Sequence, residues 1–535
     1  MASIISIKLV IDKEKNRVLY AESHHDFVDL LFSFLTLPIG TLTRLYHHAH
    51  SRSPEIGCMN KLYNSVSDLS ASCFCTDACK KMLLHPDRAS ETECSRLKLN
   101  VEGRKRKELY HCGVFSKDCL LSAYSNVKCA CGGVTSQSAY LEERDGGSGD
   151  GVFVKGVSAE TYIVGDDLQI MAGSISACMF MLDKLGVGDD VSKIEERNVV
   201  VGLQEILHLL RRAWCSHTPL TDVFLSNHGG PGTEKIDPPG YIQYQKGTAT
   251  STTSKSFKLK LIVRKLTNKV LYAEAENDFV DQLFSFLTLP LGSAINFLGE
   301  ECLSNGSIHN IYSSVTEISS KGLLKSKECE ALLMFPKTAP FLSCENQVLG
   351  IEEDVPPRYN CTQKSGNGWK LFVLTEVKAN STSDLERGGM EMKSLSTTNG
   401  LVLRNPKSLL PEDKVGGGFV KDPSKFMIKD DLVVTPLSHT SCLFFLKKLN
   451  VPYNDIEERV VNLGEEEVLN LLKASLLSDT VLSTLVERKD EMYATVDQDS
   501  TVRSEGPKFE IRKSGKPLTS IDIHKILSTN CNGKR

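Results

Sequence analysis

The chain of 535 residues contains one long stretch of sequence twice. Residues 7–40 align with residues 259–292, and 22 of these 34 positions are identical. The most similar part reads DFVDLLFSFLTLPIG from Asp26 and DFVDQLFSFLTLPLG from Asp278. Because a repeat of this length is one structural unit used again, it predicts two halves built from the same elements.

The similarity returns near the end of each half. VGDDL at Val164–Leu168 corresponds to IKDDL at Ile428–Leu432, and SISACMFMLDKL from Ser174 corresponds to SHTSCLFFLKKL from Ser438. IEER follows in both, at Ile194–Arg197 and at Ile456–Arg459. The offset between the copies changes along the chain, so the middle of each half has gained or lost residues, as surface loops readily do.

Hydrophobic periodicity gives a coarse structure for each unit. IKLVIDKEKNRVLYAE predicts two strands joined by a polar turn at Lys13–Asn16. Asp26 is a candidate N-cap for a helix through Leu37, and Asp29 in its first turn is favoured by the helix dipole. Leu203–Trp214 predicts an amphipathic helix. The fold class is therefore α+β, a tandem duplication with a hairpin plus helix at the start of each half and a strand plus helices at its end.

Reuse of one core would place equivalent aromatic residues in equivalent surroundings. The identities in the repeat are concentrated at Leu, Phe and Val positions. We therefore expect Phe32 and Phe284 to be buried in the same element of their respective halves.

Composition shifts predict the domain boundaries. The first repeat spans 1–227, with a hairpin and helix part at 1–100, a cysteine-rich segment at 101–133 and a C-terminal part at 151–227; a flexible linker follows at 228–255, the second repeat at 256–488, and a partly ordered or disordered tail at 489–535. The linker is rich in Gly, Pro, Ser and Thr and poor in apolar residues that could form a shared core. We therefore expect each half to fold alone.

Charge and targeting signals limit the classes of function. A net charge of -4, from 63 basic and 67 acidic residues, gives no overall field that would attract nucleic acid or an anionic membrane. The apolar region Phe27–Leu45 is interrupted by Asp29, Pro38 and Arg44 and does not predict a membrane span. The N-terminus lacks the basic and apolar regions of a secretory signal, so we expect a cytoplasmic or nuclear protein whose 17 cysteines are reduced thiols or metal ligands.

The order of these motifs resembles a known family. KLVID, RVLYAE, DFVDLLFSFLTLPIG and then VGDDL are similar to a plant-specific family of uncharacterised proteins, domain of unknown function 674. The resemblance covers most of both halves, and LLFSFLTLPIG is its most specific part. Tandem duplication is common in that family. The resemblance implies no reaction, substrate or cofactor.

Four cysteines form the candidate metal site, namely Cys112, Cys119, Cys129 and Cys131. They resemble the cysteine pattern of the same family at this place, and four thiolates within 20 residues can hold one structural Zn²⁺. The spacing differs from a pair of C-x-x-C knuckles, so buried or free thiols are the alternative. The second half keeps Cys361 but has no further cysteine until Cys442, so any zinc should be held by the first half alone.

Three weaker groups each have a structural alternative. Cys73, Cys75 and Cys79 with His85 are better interpreted as ordinary thiols on a helical segment than as metal ligands. The basic run Arg104–Lys107 is a solvated loop or a phosphate-contacting or nuclear import segment. Asp166 with Asp167, and Asp430 with Asp431, fit a turn or cap as well as acid–base chemistry.

The leading functional hypothesis is a non-enzymatic interaction or scaffold protein with a protein partner, and without a role in membranes. Its basis is a duplicate of packing motifs without a duplicated constellation of polar catalytic residues. One alternative is an enzyme of unrecognised type. The other is a zinc-stabilised nucleic-acid-binding protein that uses the basic run, although the net charge argues against nucleic acid.

Overall fold

The structure is a computed structural model that describes residues 4–47, 56–102, 108–113, 121–129, 131–141, 151–156, 161–187, 191–225, 255–299, 306–366, 369–377, 397–408 and 417–486. Cys119, the basic run Arg104–Lys107, nearly all of the predicted linker and the predicted tail lie outside these residues. The domain boundaries at the linker and the tail therefore stay predictions.

The described part of the first half is a mixture of strands and helices. Its strands are β1 (Ile5–Asp12), β2 (Arg17–Ser23), β3 (Leu109–His111), β4 (Val127–Lys128), β5 (Val134–Thr135), β6 (Gln137–Leu141), β7 (Tyr162–Gly165), β8 (Ile170–Ala172) and β9 (Ile194–Val201). Its helices are α1 (His25–Ser33), α2 (Ile39–His47), α3 (Met59–Asp68), α4 (Asp77–Leu84), α5 (Glu91–Cys94), α6 (Ile175–Lys184), α7 (Leu203–Cys215) and α8 (Pro219–Phe224).

The second half has a corresponding set. Its strands are β10 (Phe257–Arg264), β11 (Lys269–Glu276), β12 (Arg358–Gly366), β13 (Trp369–Val377), β14 (Thr397–Val402), β15 (Lys425–Lys429), β16 (Val434–Pro436) and β17 (Ile456–Leu463). Its helices are α9 (Asn277–Thr288), α10 (Leu291–Leu298), α11 (Ile308–Ser320), α12 (Lys327–Met334), α13 (His439–Lys448) and α14 (Glu465–Leu477). The predicted α+β class is confirmed.

Each half contributes one five-stranded sheet, and the two sheets have the same topology. The order is β8-β7-β2-β1-β9 in the first sheet and β16-β15-β11-β10-β17 in the second. All pairs in both sheets are antiparallel. The register of the hairpin shifts at the same place in both, between Val10 and Ile11 and between Ile262 and Val263.

The predicted hairpin is present in the first sheet, with its turn at 13–16. The carboxylate of Asp12 accepts hydrogen bonds from the backbone N–H groups of Glu14 at 2.9 Å and Lys15 at 3.1 Å. Asn16 has φ +45°, a left-handed conformation that Asn tolerates better than most residues. Asn268 has φ +51° at the equivalent position, so both hairpins turn through a left-handed Asn.

The helix after the hairpin starts two residues earlier than predicted. The N-cap of α1 is His24, and Asp26 lies in the first turn, where its carboxylate pairs with Lys98. The predicted N-cap at Asp26 was therefore wrong, because this residue is already helical. A 3₁₀ turn continues α1 to Thr36. Phe32 in α1 and Phe284 in α9 are both completely buried, as predicted.

The predicted helix Leu203–Trp214 is α7, which extends to Cys215. Ile206, Leu209 and Leu210 are buried along one face. At its start, the Glu205 carboxylate accepts a hydrogen bond from the Gly202 backbone N–H at 2.9 Å. This bond satisfies a backbone donor that has no partner within the helix.

Equivalent residues of the two halves meet each other. Pro38 and Pro290 occupy the same position of the repeat, and they form an antiparallel bridge. Next to it, the Ile39 N–H donates to Leu289 O and the Leu291 N–H donates to Leu37 O, both at 2.9 Å. A contact in which each residue faces its own counterpart is the isologous contact of a two-fold symmetric dimer. Here both partners belong to one chain.

The two halves also exchange helices. Helix α3 of the first half lies against the second sheet, where the Val434 N–H donates to Ser65 Oγ at 2.9 Å. Helix α11 of the second half lies against the first sheet, where the Ile170 N–H donates to Ser314 Oγ at 2.8 Å. Each sheet is therefore covered by a helix that comes from the other half.

Glycine permits the close approach at the start of both exchanged helices. A Cβ atom at Gly57 would lie 2.4 Å from Ser475 O, and one at Gly306 would lie 2.3 Å from Trp214 O. In the same places, the Cys58 N–H donates to Ser475 O and the Ser307 N–H donates to Ala213 O, both at 2.8 Å. Any larger residue would separate the backbones that these bonds join.

A third sheet also combines the halves. Its order is β14-β12-β13-β6-β3, and β13 pairs with β6 in parallel. Buried residues of both halves belong to one hydrophobic core, and residues 1–487 form one compact unit. This arrangement does not match the expectation that each half folds alone, because each half carries part of the other's core.

Candidate metal centre

Two of the candidate ligands lie in a tight hairpin. Strands β4 and β5 pair through Val127–Thr135 and Lys128–Val134. The turn between them is closed by the Cys129 N–H, which donates to Gly133 O at 2.8 Å, and by the Gly132 N–H, which donates to Cys129 O at 3.0 Å. Gly132 has φ +85°, a conformation that glycine adopts without strain. The turn places Cys129 and Cys131 close together.

The third ligand comes from a different strand. Cys112 follows β3, and its Sγ lies 3.5 Å from the Sγ of Cys131. The Sγ atoms of Cys112, Cys129 and Cys131 all lie within 4.8 Å of one another. In a tetrahedron with Zn–S bonds of about 2.3 Å, sulfur atoms are separated by about 3.8 Å. The three thiols therefore have a spacing that one zinc ion can bridge.

Buried polar groups position this cluster. Thr135 is fully buried, and its Oγ1 accepts a hydrogen bond from the Val127 N–H at 3.1 Å, which holds the base of the hairpin. His111 is buried, and its Nδ1 accepts from the Gly113 N–H at 3.0 Å, so the chain turns directly after Cys112. Burial lowers the pKa of His111 to about 4, so this side chain is neutral at pH 7.

The second cysteine group makes different bonds. Cys75 Sγ donates to Val420 O at 3.1 Å, and Cys79 Sγ lies 3.2 Å from Thr76 Oγ1. Burial raises the pKa of Cys75 to about 12 and also raises that of Cys79, so both are protonated thiols at pH 7. Within the described ranges, only Cys112, Cys129 and Cys131 have the geometry of metal ligands. The bonds of Cys75 and Cys79 are those of ordinary thiols.

The paired aspartates make structural bonds. Asp166 accepts hydrogen bonds from Arg17 and from the N–H and hydroxyl of Thr221, at 2.9–3.0 Å. Asp430 accepts in the same way from the N–H and hydroxyl of Ser483, both at 2.8 Å. Each carboxylate thus anchors the segment that follows the last long helix of its half. Burial raises the pKa of both carboxyl groups.

Sequence reasoning missed a buried aspartate that recurs in both halves. Asp29 accepts three backbone N–H groups, from Val152 at 2.6 Å, Phe153 at 2.7 Å and Val154 at 2.9 Å. Asp281 accepts two, from Phe419 at 2.8 Å and Val420 at 2.9 Å. The identical DFVD sequences were the available signal. Asp29 was assigned to the helix dipole, but its carboxylate instead fixes a distant loop.

A second polar arrangement also recurs. Lys8 Nζ lies 3.2 Å from Glu22 and 3.5 Å from Glu196 on the outer face of the first sheet. Lys260 makes the equivalent pairs with Glu274 at 3.5 Å and Glu458 at 3.0 Å. These pairs are partly exposed to solvent and contribute little to stability. Polar residues are therefore duplicated along with the packing motifs, and both duplicated polar arrangements have structural partners.

Burial of Asp281 predicts a pH dependence of stability. Desolvation raises its pKa to about 7 from an ordinary value of 3.8, while nearby Lys407 opposes the shift and Asp278 adds to it. Protonation therefore favours the folded state, and this contribution is complete below about pH 4 and is lost as the pH rises to about 7. We expect Asp281→Asn, which cannot ionise, to flatten the change in unfolding free energy across this range.

Denaturant unfolding of the full chain at a series of pH values between 4 and 8 measures this effect. Asp278→Asn is the matched control, because Asp278 lies one turn earlier in α9, is exposed, and adds much less to the pKa shift of Asp281 than desolvation does, so it should change the slope only slightly. The prediction fails if the wild type and the Asp281→Asn variant show the same slope, or if only the control changes it.

Apolar side chains are exposed at equivalent positions of α6 and α13. The exposed fractions are 59% for Met179 and 50% for Phe180 in α6, and 53% for Leu443 and 67% for Phe444 in α13. Met179 aligns with Leu443, and Phe180 aligns with Phe444. The opposite face of each helix covers the outer side of its sheet, through Ala177 and Met181 in α6 and through Cys442 and Leu446 in α13.

Every helix in the described ranges is too short or too polar to cross a lipid bilayer. A comparison with protein families gives one match, to the family described as Protein of unknown function (DUF674), over residues 2–466. No curated protein and no solved structure matches the chain. Because the family match includes most of both halves and the candidate metal centre, the chain belongs to the DUF674 family.

Proposed function

We propose that the protein is a non-enzymatic interaction protein that offers two related surfaces. The observation that carries this proposal is the exposed apolar pair that recurs on α6 and α13. Exposure of large apolar side chains costs solubility, and a single exposed residue would need no explanation. The same pair at the same place in both halves is better explained by binding to partners.

The positions of two groups with shifted pKa values favour an interaction role over catalysis. Lys407 is buried beside the ring of Phe419, with Nζ 4.9 Å from the ring centroid, and burial lowers its pKa. Asp281 is buried nearby and accepts backbone N–H groups. A catalytic group must be reached by substrate, whereas these two side chains are enclosed by the core that joins the halves.

Affinity purification with single variants tests the interaction role. The full chain and the variants Phe180→Glu and Phe444→Glu serve as bait in a cell extract. We expect each variant to lose a subset of the proteins that the wild type retains, because a carboxylate in the apolar face has to be desolvated on binding. Identical sets from all three baits would contradict the proposal.

We also propose that the first half holds one structural zinc ion. Cys112, Cys129 and Cys131 supply three thiolates, and Cys119, which lies outside the described residues, is the fourth ligand that the sequence predicts. Zinc would join the loop after β3 to the β4–β5 hairpin. A closed four-thiolate site is typical of structural zinc.

The second half offers no equivalent set among its described residues. Cys361 is buried in β12, and burial raises its pKa to about 11. Cys442 lies in α13. This helix packs on one side of the second sheet, and the core that the halves share lies on the other side. The zinc proposal is therefore specific to the first half.

Elemental analysis of the full chain measures the metal. We expect about one zinc per chain in the wild type and less than about a tenth of that in Cys129→Ser and Cys131→Ser, because three thiolates hold zinc far less tightly than four. The control Cys361→Ser keeps the metal. Chelation should lower the unfolding temperature of the wild type and leave that of Cys129→Ser unchanged. Wild-type protein purified without zinc, and unable to bind it when zinc is added, would sink the proposal.

A further inference from the structure

The two exposed apolar pairs differ in the charges next to them. In α13, Lys447 and Lys448 follow Leu443 and Phe444 by one helical turn, and both lysines are exposed. In α6 the aligned residues are Asp183 and Lys184. Lys184 is already paired, with Nζ 2.8 Å from Asp167 and 2.9 Å from Gln169. The surface of α13 is therefore basic, and that of α6 is close to neutral.

Interaction with the helix dipole does not account for this pattern. Lysine in the last turn of a helix contributes a small stabilisation through the dipole. That contribution explains Lys447 and Lys448 alone, and it leaves Leu443 and Phe444 exposed without a reason. Residues four apart lie on the same side of a helix, so each exposed apolar side chain has one lysine directly beside it.

We propose that α13 binds an amphipathic peptide helix that carries acidic residues, a proposal that rests on the interaction role above. Two apolar side chains of the peptide would cover Leu443 and Phe444. Carboxylates one turn away would face Lys447 and Lys448, which form no ion pair with the residues that the structure describes. Complementary charge sets the orientation and the choice of partner, while the apolar contact supplies most of the affinity.

An anionic membrane fits the same face less well. Two lysines attract such a surface too weakly for stable attachment, which takes a larger basic cluster or a lipid anchor. Carboxylates are also close to this face. Burial raises the pKa of Tyr272, and the negative charges of Glu274 and Glu458 raise it further. Tyr272 packs in the same apolar cluster as Cys442, under α13. A flat anionic bilayer would meet these carboxylates, whereas a narrow peptide helix can avoid them.

Peptide display on the full chain tests the proposal. A library of random peptides of about 16 residues, enough for four helical turns, is selected on the wild type and depleted on Phe444→Glu. We expect the enriched peptides to carry two neighbouring apolar residues with Asp or Glu three or four positions away. Fluorescence anisotropy then measures the affinity of the best peptide for wild type and variants.

We expect Phe444→Glu to weaken binding by about tenfold or more, and the double variant Lys447→Glu, Lys448→Glu to do the same. Binding of the peptide to the wild type should weaken as salt is added, and the double variant should lose this salt dependence. The matched control Phe180→Glu in α6 should change affinity less than twofold, and thermal unfolding should show that all variants are folded. Enriched peptides without an acidic preference would overturn this inference but leave the interaction role standing. Absence of any enriched peptide would count against both.

Two further outcomes would assign the face to another occupant. Co-sedimentation with vesicles of phosphatidylserine that Phe444→Glu abolishes would point to a membrane. Concentration-dependent dimerisation that the same variant abolishes would point to a second copy of the chain. Either result, without an acidic peptide consensus, overturns the proposal.

Discussion

Residues 1–225 expressed alone should not give a folded monomer, and co-expression with residues 255–486 should restore a folded complex. The reason is the exchange of helices between the halves. Without the second half, the first sheet lacks α11, and the apolar face of α3 has no sheet to cover. The backbone bonds at Ile39 and Leu291, which join equivalent segments of the halves, would also be missing.

Size-exclusion chromatography and circular dichroism of each half, alone and together, measure this effect. A homodimer of one half would agree with the structure, because Pro38 would then face a second Pro38 in the isologous contact. As a control, a protease site placed in the predicted linker 228–255 of the full chain should be cut without loss of structure. A stable, folded monomer of either half would show that the exchange is not needed.

Local features of the fold could be predicted from the sequence. The hairpin is defined by alternating apolar residues and by a turn at 13–16, and α7 is defined by apolar residues on one face. These signals depend on neighbours within a few positions. The burial of Phe32 and Phe284 also follows locally, because each lies in a short helical run rich in Phe, Leu and Val.

The exchange could not be predicted in this way. The pattern of α3 shows an amphipathic helix, but it does not show which of two similar sheets the helix covers. Ser65 and Ser314 make equivalent bonds to opposite sheets. Only packing over the whole chain selects this connection, and the composition of the linker carries no information about it.

The candidate metal centre was predictable only where its ligands are close in sequence. Cys129 and Cys131 lie on one hairpin, whose tight turn the following glycines favour. Cys112 reaches them because β3 pairs with β6, through Leu109–Ala139 and two further residue pairs. That pairing is not local, and cysteine spacing alone could not distinguish a ligand set from separate thiols.

Asp29→Ala should lower the unfolding free energy by several kcal/mol, which is the largest effect that we expect from one substitution. The carboxylate of Asp29 accepts three backbone N–H groups of residues 152–154, and all of these bonds are buried. Each buried donor left without an acceptor costs about 1–3 kcal/mol. The same segment connects to the second half, where the Lys325 N–H donates to Phe153 O at 2.9 Å, so its loss should also loosen the contact between the halves.

Asp26→Ala is the matched control, since Asp26 lies one turn earlier in α1 and its carboxylate is partly exposed in an ion pair with Lys98. Such a pair contributes about 0–1 kcal/mol, so the control should differ little from the wild type. Denaturant unfolding of the full chain gives both values. Asp29→Asn separates charge from hydrogen bonding, because an amide retains one acceptor oxygen and also brings an N–H₂ group that the backbone donors cannot satisfy. We expect it to fall between the wild type and Asp29→Ala, and equal stability of Asp29→Ala and Asp26→Ala would show that water replaces the carboxylate at the loop.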